Sequence, residues 1–304
     1  MQSSNPIFNR SEGFNGRNAR GTTSTGYTDP SQWNVGRPQQ GGYGNQGYAN
    51  QGYGNQGYGN DPYGTGYAPQ VDQGRMSIDS VVQKTGLTLG TVVVFAALTW
   101  LLTGTVDAYT DPSVVRSLYA VSMVGALGGF ALAMVNSFKK VVSPALVLAY
   151  AAFEGVFIGG FSKALESSFG GGLVMGAVVG TVAAVGGTLA AYKFFNIQVG
   201  QKFRTWVIGA MFGFVAVSLL DMVLGFFGSS FGFNGFGPMG LVSSLLGLGL
   251  GVLMLILDFD FVERGVAAGL PERESWRAAF GLTVTIIWIY IEILRLLAIL
   301  RGNN

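Results

Sequence analysis

Long apolar runs begin at Gly86 and recur to the end of the chain, each long enough to cross about 30 Å of hydrocarbon. Seven are delimited by their flanks: 86–104, 117–136, 142–163, 172–192, 205–227, 239–261 and 278–300. The stretches between them carry turn formers and charge: Thr110-Asp111-Pro112, Lys139-Lys140, Ser167 to Gly172, Asn196 to Arg204, Gly228 to Pro238, and Glu263 to Arg277. This pattern predicts an all-α integral membrane protein, a bundle of seven transmembrane helices. Before Val71 bulky aliphatic residues are nearly absent, and from Gly42 a five-residue unit of Gly, Tyr, Asn and Gln repeats. Such a stretch has too little apolar surface to offset its ordering entropy. Residues 1–75 are therefore expected to form a disordered low-complexity tail, and 76–304 the membrane domain. The spaced tyrosines fit either a weakly self-associating segment or an inert one.

Composition sharpens this division. Charged residues make up 11% of the chain and hydrophobic residues 49%, the first about half of what a soluble globular protein carries. The 48 glycines are shared between tail and spans. Gly172, Gly176 and Gly180 recur at four-residue spacing, the small-xxx-small pattern that lets helix backbones approach closely. Gly125, Gly128, Gly129 and Ala133 in the second span, and Gly247, Gly249 and Gly251 in the sixth, read as further packing seams. No strand precedes them, so a nucleotide-binding loop is not indicated.

Charge sets the expected orientation. Placing the tail in the cytoplasm puts all of the 18 Lys and Arg residues except Arg116, Lys163, Arg295 and Arg301 on the inner side, as the positive-inside rule requires. The expected localisation is multi-pass in the cell membrane, with the N-terminus inside and the C-terminus outside. The opening residues lack the apolar run of a cleavable signal, so the first span is expected to act as the insertion signal. The net charge of +2 and the scattered basic residues do not point to nucleic acid.

Candidate chemistry rests on acids. A carboxylate at the bilayer centre costs at least ~2.5 kcal/mol when ionised, so each one is a functional-site hypothesis. Glu154 falls near the middle of the third span, Asp221 toward the outer end of the fifth, Asp258 and Asp260 near the inner end of the sixth, and Glu292 near the middle of the seventh. Arg295 lies three residues after Glu292 on the same helical face, an available ion-pair partner. Asp221 is expected to point to the outer rim. Carboxylates that converge from different helices can share a proton. Ionised, they offer the hard oxygens that suit calcium. With no histidine and no cysteine in the chain, pH sensing near neutrality falls to such groups. The same two absences argue against zinc hydrolysis, a rhomboid-like protease and thiol chemistry. Leu257-Asp258-Phe259-Asp260 does not fit an intramembrane aspartyl protease. No catalytic residues, enzyme activity or cofactor are therefore expected.

The end of the sixth span at Leu257-Asp258, the charged turn, and the run from Ile289 through Tyr290 and Glu292 to Leu297 resemble the Bax inhibitor-1 family, including its YccA-like members. The Ser143-Pro144-Ala145-Leu146 entry to the third span and Phe153-Glu154-Gly155 fit as well. The opening Ser4-Asn5-Pro6-Ile7-Phe8 and the Gly/Tyr tail are similar to the actinobacterial branch. The resemblance covers roughly 76–301 and is strongest over 240–301. It implies a bundle with the seventh helix central, wrapped by the other six, and a calcium leak gated by protons. It further implies that an acid near the inner end of the sixth span pairs with one in the seventh. Asp258 matches the first position best, with Asp260 the alternative. Glu292 matches the second, where aspartate is usual.

The leading expectation is a pH-sensitive calcium or cation leak channel, gated by protonation of an intramembrane carboxylate pair drawn from Asp258, Asp260 and Glu292. Glu154 is a further candidate for the ion path, and calcium, if bound, would lie near the first three. The alternative is a non-conducting interaction protein that modulates a membrane protease or a stress response. A proton-coupled transporter is a third reading. The expected partners are the lipid bilayer, cations and, on the alternative, a membrane protease.

Overall fold

The computed structural model describes residues 74–104 and 112–302, with side chains at 112–115 not described. The low-complexity segment before Gly74 and the turn at Thr110-Asp111 lie outside the described residues. Seven helices follow in order: α1 (Ile78–Leu102), α2 (Pro112–Phe138), α3 (Pro144–Phe169), α4 (Leu173–Phe194), α5 (Gln201–Phe226), α6 (Pro238–Ala267) and α7 (Glu274–Gly302). All seven contain a stretch long and apolar enough to cross a membrane. The helix ends are chemically specified. Ser77 and Ser80 form a reciprocal capping box at the start of α1, satisfying donors that a helix start leaves unpaired. Pro144 and Pro238 open α3 and α6, where a missing N–H costs nothing.

The seventh helix is the axis of the bundle. Of its most apolar stretch, 61% is buried inside the protein, against 17% for α1 and α5. It packs directly on α1, α3, α4 and α6, while α2 lies on α3 and α5 on α6 at one remove. The core therefore runs along α7, through Leu282, Ile289, Ile293, Leu294 and Ala298, with Leu255 of α6 and Leu173 and Ala177 of α4. The outer helices turn large apolar side chains outward, such as Leu101, Met175 and Trp206. In water such a surface would aggregate; in lipid it is the required one.

Glycine sets how closely these helices approach. A Cβ at Gly125 would lie 2.6 Å from the backbone nitrogen of Phe157, which fixes the α2–α3 crossing. Gly176 and Gly180 face Leu297 and Ile293 of α7, whereas Gly249 faces open space. The closest α1–α3 contacts come from Gly155 and Gly159, outside the seams expected from spacing. There a Cβ would fall 2.5 Å from the carbonyl oxygens of Val92 and Ala96 respectively.

Two charged groups are buried, and the second corrects an expectation. Lys163 does not reach the outer solvent: it is 5% exposed and donates to Trp100 O at 2.6 Å, to Thr103 Oγ1 at 2.8 Å and to Gly104 O. A cation among the last carbonyls of α1 satisfies acceptors that a helix end leaves unpaired and complements its dipole. Asp221 does not point to the outer rim. It is 3% exposed and accepts from the backbone N–H of Phe231 (2.8 Å), Gly232 (3.1 Å) and Asn234 (2.8 Å). The α5–α6 connection folds back against α5 and presents its amides to the carboxylate.

Candidate functional site

Asp258 and Glu292 lie along the seam between α6 and α7, an antiparallel hairpin that turns at residues 268–273, whereas Asp260 faces α5. In such a hairpin, residues equally distant from the turn meet. Asp258 therefore faces the first half of α7: Thr285 Oγ1 donates to its Oδ2 at 2.6 Å. Gly281 leaves room beside its Oδ1, which lies 3.6 Å from where a Cβ would stand. Glu292 faces the other half of α6. A Cβ at Gly247 would lie 2.8 Å from its carboxyl group. Thr285 and Glu292 are seven residues apart on one helix, about 10 Å along its axis. The structure therefore does not bring Asp258 and Glu292 together as a hydrogen-bonded pair. Their interval spans more chain than a hairpin turning near Leu270 can fold into register.

Each of the three acids has its own chemistry. Asp260, only 5% exposed, is held by Arg204 of α5 at 2.7 Å and by Arg264, one turn along α6, at 2.8 Å. Arg264 also donates to Val199 O at 2.6 Å. This triad ties α5, α6 and the α4–α5 connection together, so Asp260 is occupied by cations already. Glu292 is paired with Arg295 at 3.2 Å, both groups buried. Among the described residues Asp258 alone of the three carries no ion pair; its partner is a neutral hydroxyl.

Arg295 reaches further than its own helix. Its Nη2 donates to Phe233 O at 3.0 Å, Gly235 O at 3.3 Å and Ser243 Oγ at 3.3 Å. Ser243 Oγ donates in turn to Phe233 O at 2.5 Å. The connection that Asp221 folds back thus covers the Glu292–Arg295 pair. Its Phe233 ring lies 5.0 Å from the ring of Phe214, twelve residues before the end of α5 and so about 18 Å in along that helix. Non-helical backbone at membrane depth is tolerated only when buried in protein or lining a cavity; here its carbonyls are buried against a guanidinium.

Glu154 belongs to a different interface. Its Oε2 lies 2.7 Å from where a Cβ of Gly129 would stand, which places it between α2 and α3, away from the α6–α7 seam. Tyr290, two residues before Glu292, instead shares a hydrogen bond with Ser162 of α3 at 2.7 Å.

Arg295 is the one partner that sequence spacing offers; the neutral Thr285 on Asp258 and the distant Arg204 on Asp260 are missed. One signal does find Thr285. Stepping back from Arg295 by threes and fours gives Glu292, Trp288, Thr285 and Gly281, one face of α7. All of these contact α6 or the α5–α6 connection, with Trp288 donating to Gly247 O at 2.9 Å. The carbonyls of Phe233 and Gly235 have no comparable signature.

The sequence model of a family described as Bax inhibitor 1 like matches residues 5–302. A search of curated proteins gives no match to the chain.

Proposed function

Because the chain belongs to the Bax inhibitor 1-like family of membrane proteins, we propose that it is a pH-sensitive cation leak of the membrane, with calcium as a permeant ion and the α6–α7 seam as its path. The observation that carries this reading is Asp258, a carboxylate inside the apolar bundle that leans on Thr285 and has no cation partner among the described residues. Such a group gains or loses charge with one proton, and when ionised it attracts a cation into the seam. The gating carboxylates act on this reading as two separate stations, Asp258 toward the turn and Glu292 beneath the α5–α6 connection. On this reading the protein conducts ions and is not an enzyme. On the same reading the α6–α7 turn lies in the cytoplasm and the C-terminus outside, an orientation that the basic residues of the loops support.

The test is calcium flux from proteoliposomes across mildly acidic to mildly alkaline pH. Wild-type flux is expected to change with pH, and the Asp258→Asn variant to conduct with that dependence flattened. Silent wild-type vesicles at every pH would overturn the reading. A second reading draws support from the arginine partners of Asp260 and Glu292, which suit a static scaffold: a non-conducting protein that modulates a membrane protease or stress response. Removing residues 1–73 separates the two, since a leak should survive the deletion and partner recovery by a scaffold should not.

A further inference from the structure

Among the described residues, four oxygens accept from the guanidinium of Arg295. Glu292 Oε2 comes from the same helix, the carbonyl oxygens of Phe233 and Gly235 from the folded-back connection, and Ser243 Oγ from the start of α6. Glu292, Ser243 and Arg295 are all buried. A carboxylate, two backbone carbonyls and a hydroxyl are the hard ligand set that metal cations choose. The fit to guanidinium is loose. Its contacts run from 3.0 to 3.3 Å, longer than the 2.7–2.9 Å usual for charge-assisted bonds. Its Nε, although buried, has no hydrogen-bond partner among the described residues.

The connection itself is shaped to hold these carbonyls in place. Asp221 binds its amides from the far side. Ser218 Oγ donates to Asn234 Oδ1 at 2.6 Å, and Asn234 Nδ2 donates to Ser218 O at 2.7 Å. With its N–H groups committed to α5, the segment turns the carbonyls of Phe233 and Gly235 toward α7. At Gly240 a Cβ would collide with Gly235 O, so the first turn of α6 gives way to the segment.

We propose that this cluster is a cation-binding site whose resident cation is the tethered guanidinium of Arg295, and that a free hard cation takes its place when the side chain withdraws. The proposal rests on the cation-leak reading for its role: Arg295 keeps the outer half of the seam filled, and its departure leaves Glu292 and the loop carbonyls to the permeant ion. With a single carboxylate, the site neutralises one positive charge, so sodium is expected to compete there with calcium.

The test is thermal unfolding of the full chain in detergent, with sodium chloride, calcium chloride or millimolar guanidinium chloride titrated in, at constant ionic strength set by a bulky organic cation. Arg295→Ala is expected to gain melting temperature with each small cation, since a ligand that binds only the folded state stabilises it by mass action. Wild type, whose site is filled, and the Glu292→Gln/Arg295→Ala double variant, which has lost the carboxylate, are expected to respond little. An Arg295→Ala response no larger than that of wild type would overturn the proposal. If Arg295→Ala cannot be recovered folded, Arg295→Lys takes its place: its ammonium reaches Glu292 without spanning both carbonyls, so cations should still stabilise it more than wild type, and an equal response overturns the proposal. Flux separates this idea from the one beneath it. Cation-dependent stabilisation with no flux in either protein keeps the site and removes the leak. Equal flux in wild type and Arg295→Ala without stabilisation keeps the leak and removes the site; several-fold greater flux from Arg295→Ala supports both.

Discussion

Asp221 carries three backbone N–H groups on one carboxylate, and each would otherwise be left over by a connection that never forms a ladder or a helix. Replacing it with alanine removes three charge-assisted bonds at once. The expected cost is about 3 kcal/mol, read as a fall in melting temperature in detergent. Asp221→Asn, which keeps an acceptor for part of the set, should lose less. The acid itself was plain in the sequence, but its partners were not, because they lie about ten residues later in a segment with no periodicity. Lys163 shows the same limit. The positive-inside rule sorts a lysine by the loop it is nearest, and nothing in the residue types shows that its side chain turns back onto the carbonyls of Trp100 and Gly104. Buried polar groups are legible as types and positions; their partners follow from loop geometry, which hydropathy does not encode.

At the scale of helices the reverse holds. The number and order of the spans were legible because hydrocarbon thickness acts locally, but the ends less so: α1 starts at Ile78 rather than 86, and α3 runs to Phe169 rather than 163. Packing faces were half legible. The α2 and α4 glycines do mark contacts, but the closest α1–α3 approach belongs to Gly155 and Gly159, spaced as small-xxx-small within an aromatic-rich run. Gly159→Leu is expected to cost several kcal/mol, at or beyond the upper end of the ~1–3 kcal/mol usual for overpacking, because the obstacle is the α1 backbone. Gly186→Ala, on α4 with nothing within 4 Å, should be tolerated and gain up to about 1 kcal/mol. Melting temperatures of the two variants in the same detergent check both claims. The expected Asp258–Glu292 pair failed at this scale too: residue types suited it, but helix rise sets depth, and the hairpin turns in the wrong place for it.

For the whole molecule, the central position of α7 follows from its character. It holds the buried Glu292 and Arg295, and of the seven spans it keeps the largest share of its apolar stretch, 61%, away from lipid. The proposed orientation is testable because the chain has no cysteine of its own. A cysteine replacing Ser229, exposed on the α5–α6 connection, should react with a membrane-impermeant maleimide added to intact cells. One replacing Lys139, exposed between α2 and α3, should react only after the cells are opened. The opposite pattern would invert the topology.

The chain just before α1 is fastened to the α6–α7 turn. Arg75 forms an isolated antiparallel bridge with Pro271, Met76 N donates to Leu270 O at 2.7 Å and Glu272 N to Gly74 O at 3.1 Å. Lys84 then pairs with Glu272 at 2.5 Å. Mechanically this makes the turn the first bearing for any load on the N-terminal segment. A pull on residues ahead of Gly74 would strain the hinge from which Asp258 and Thr285 are hung before it unwound any turn of α1.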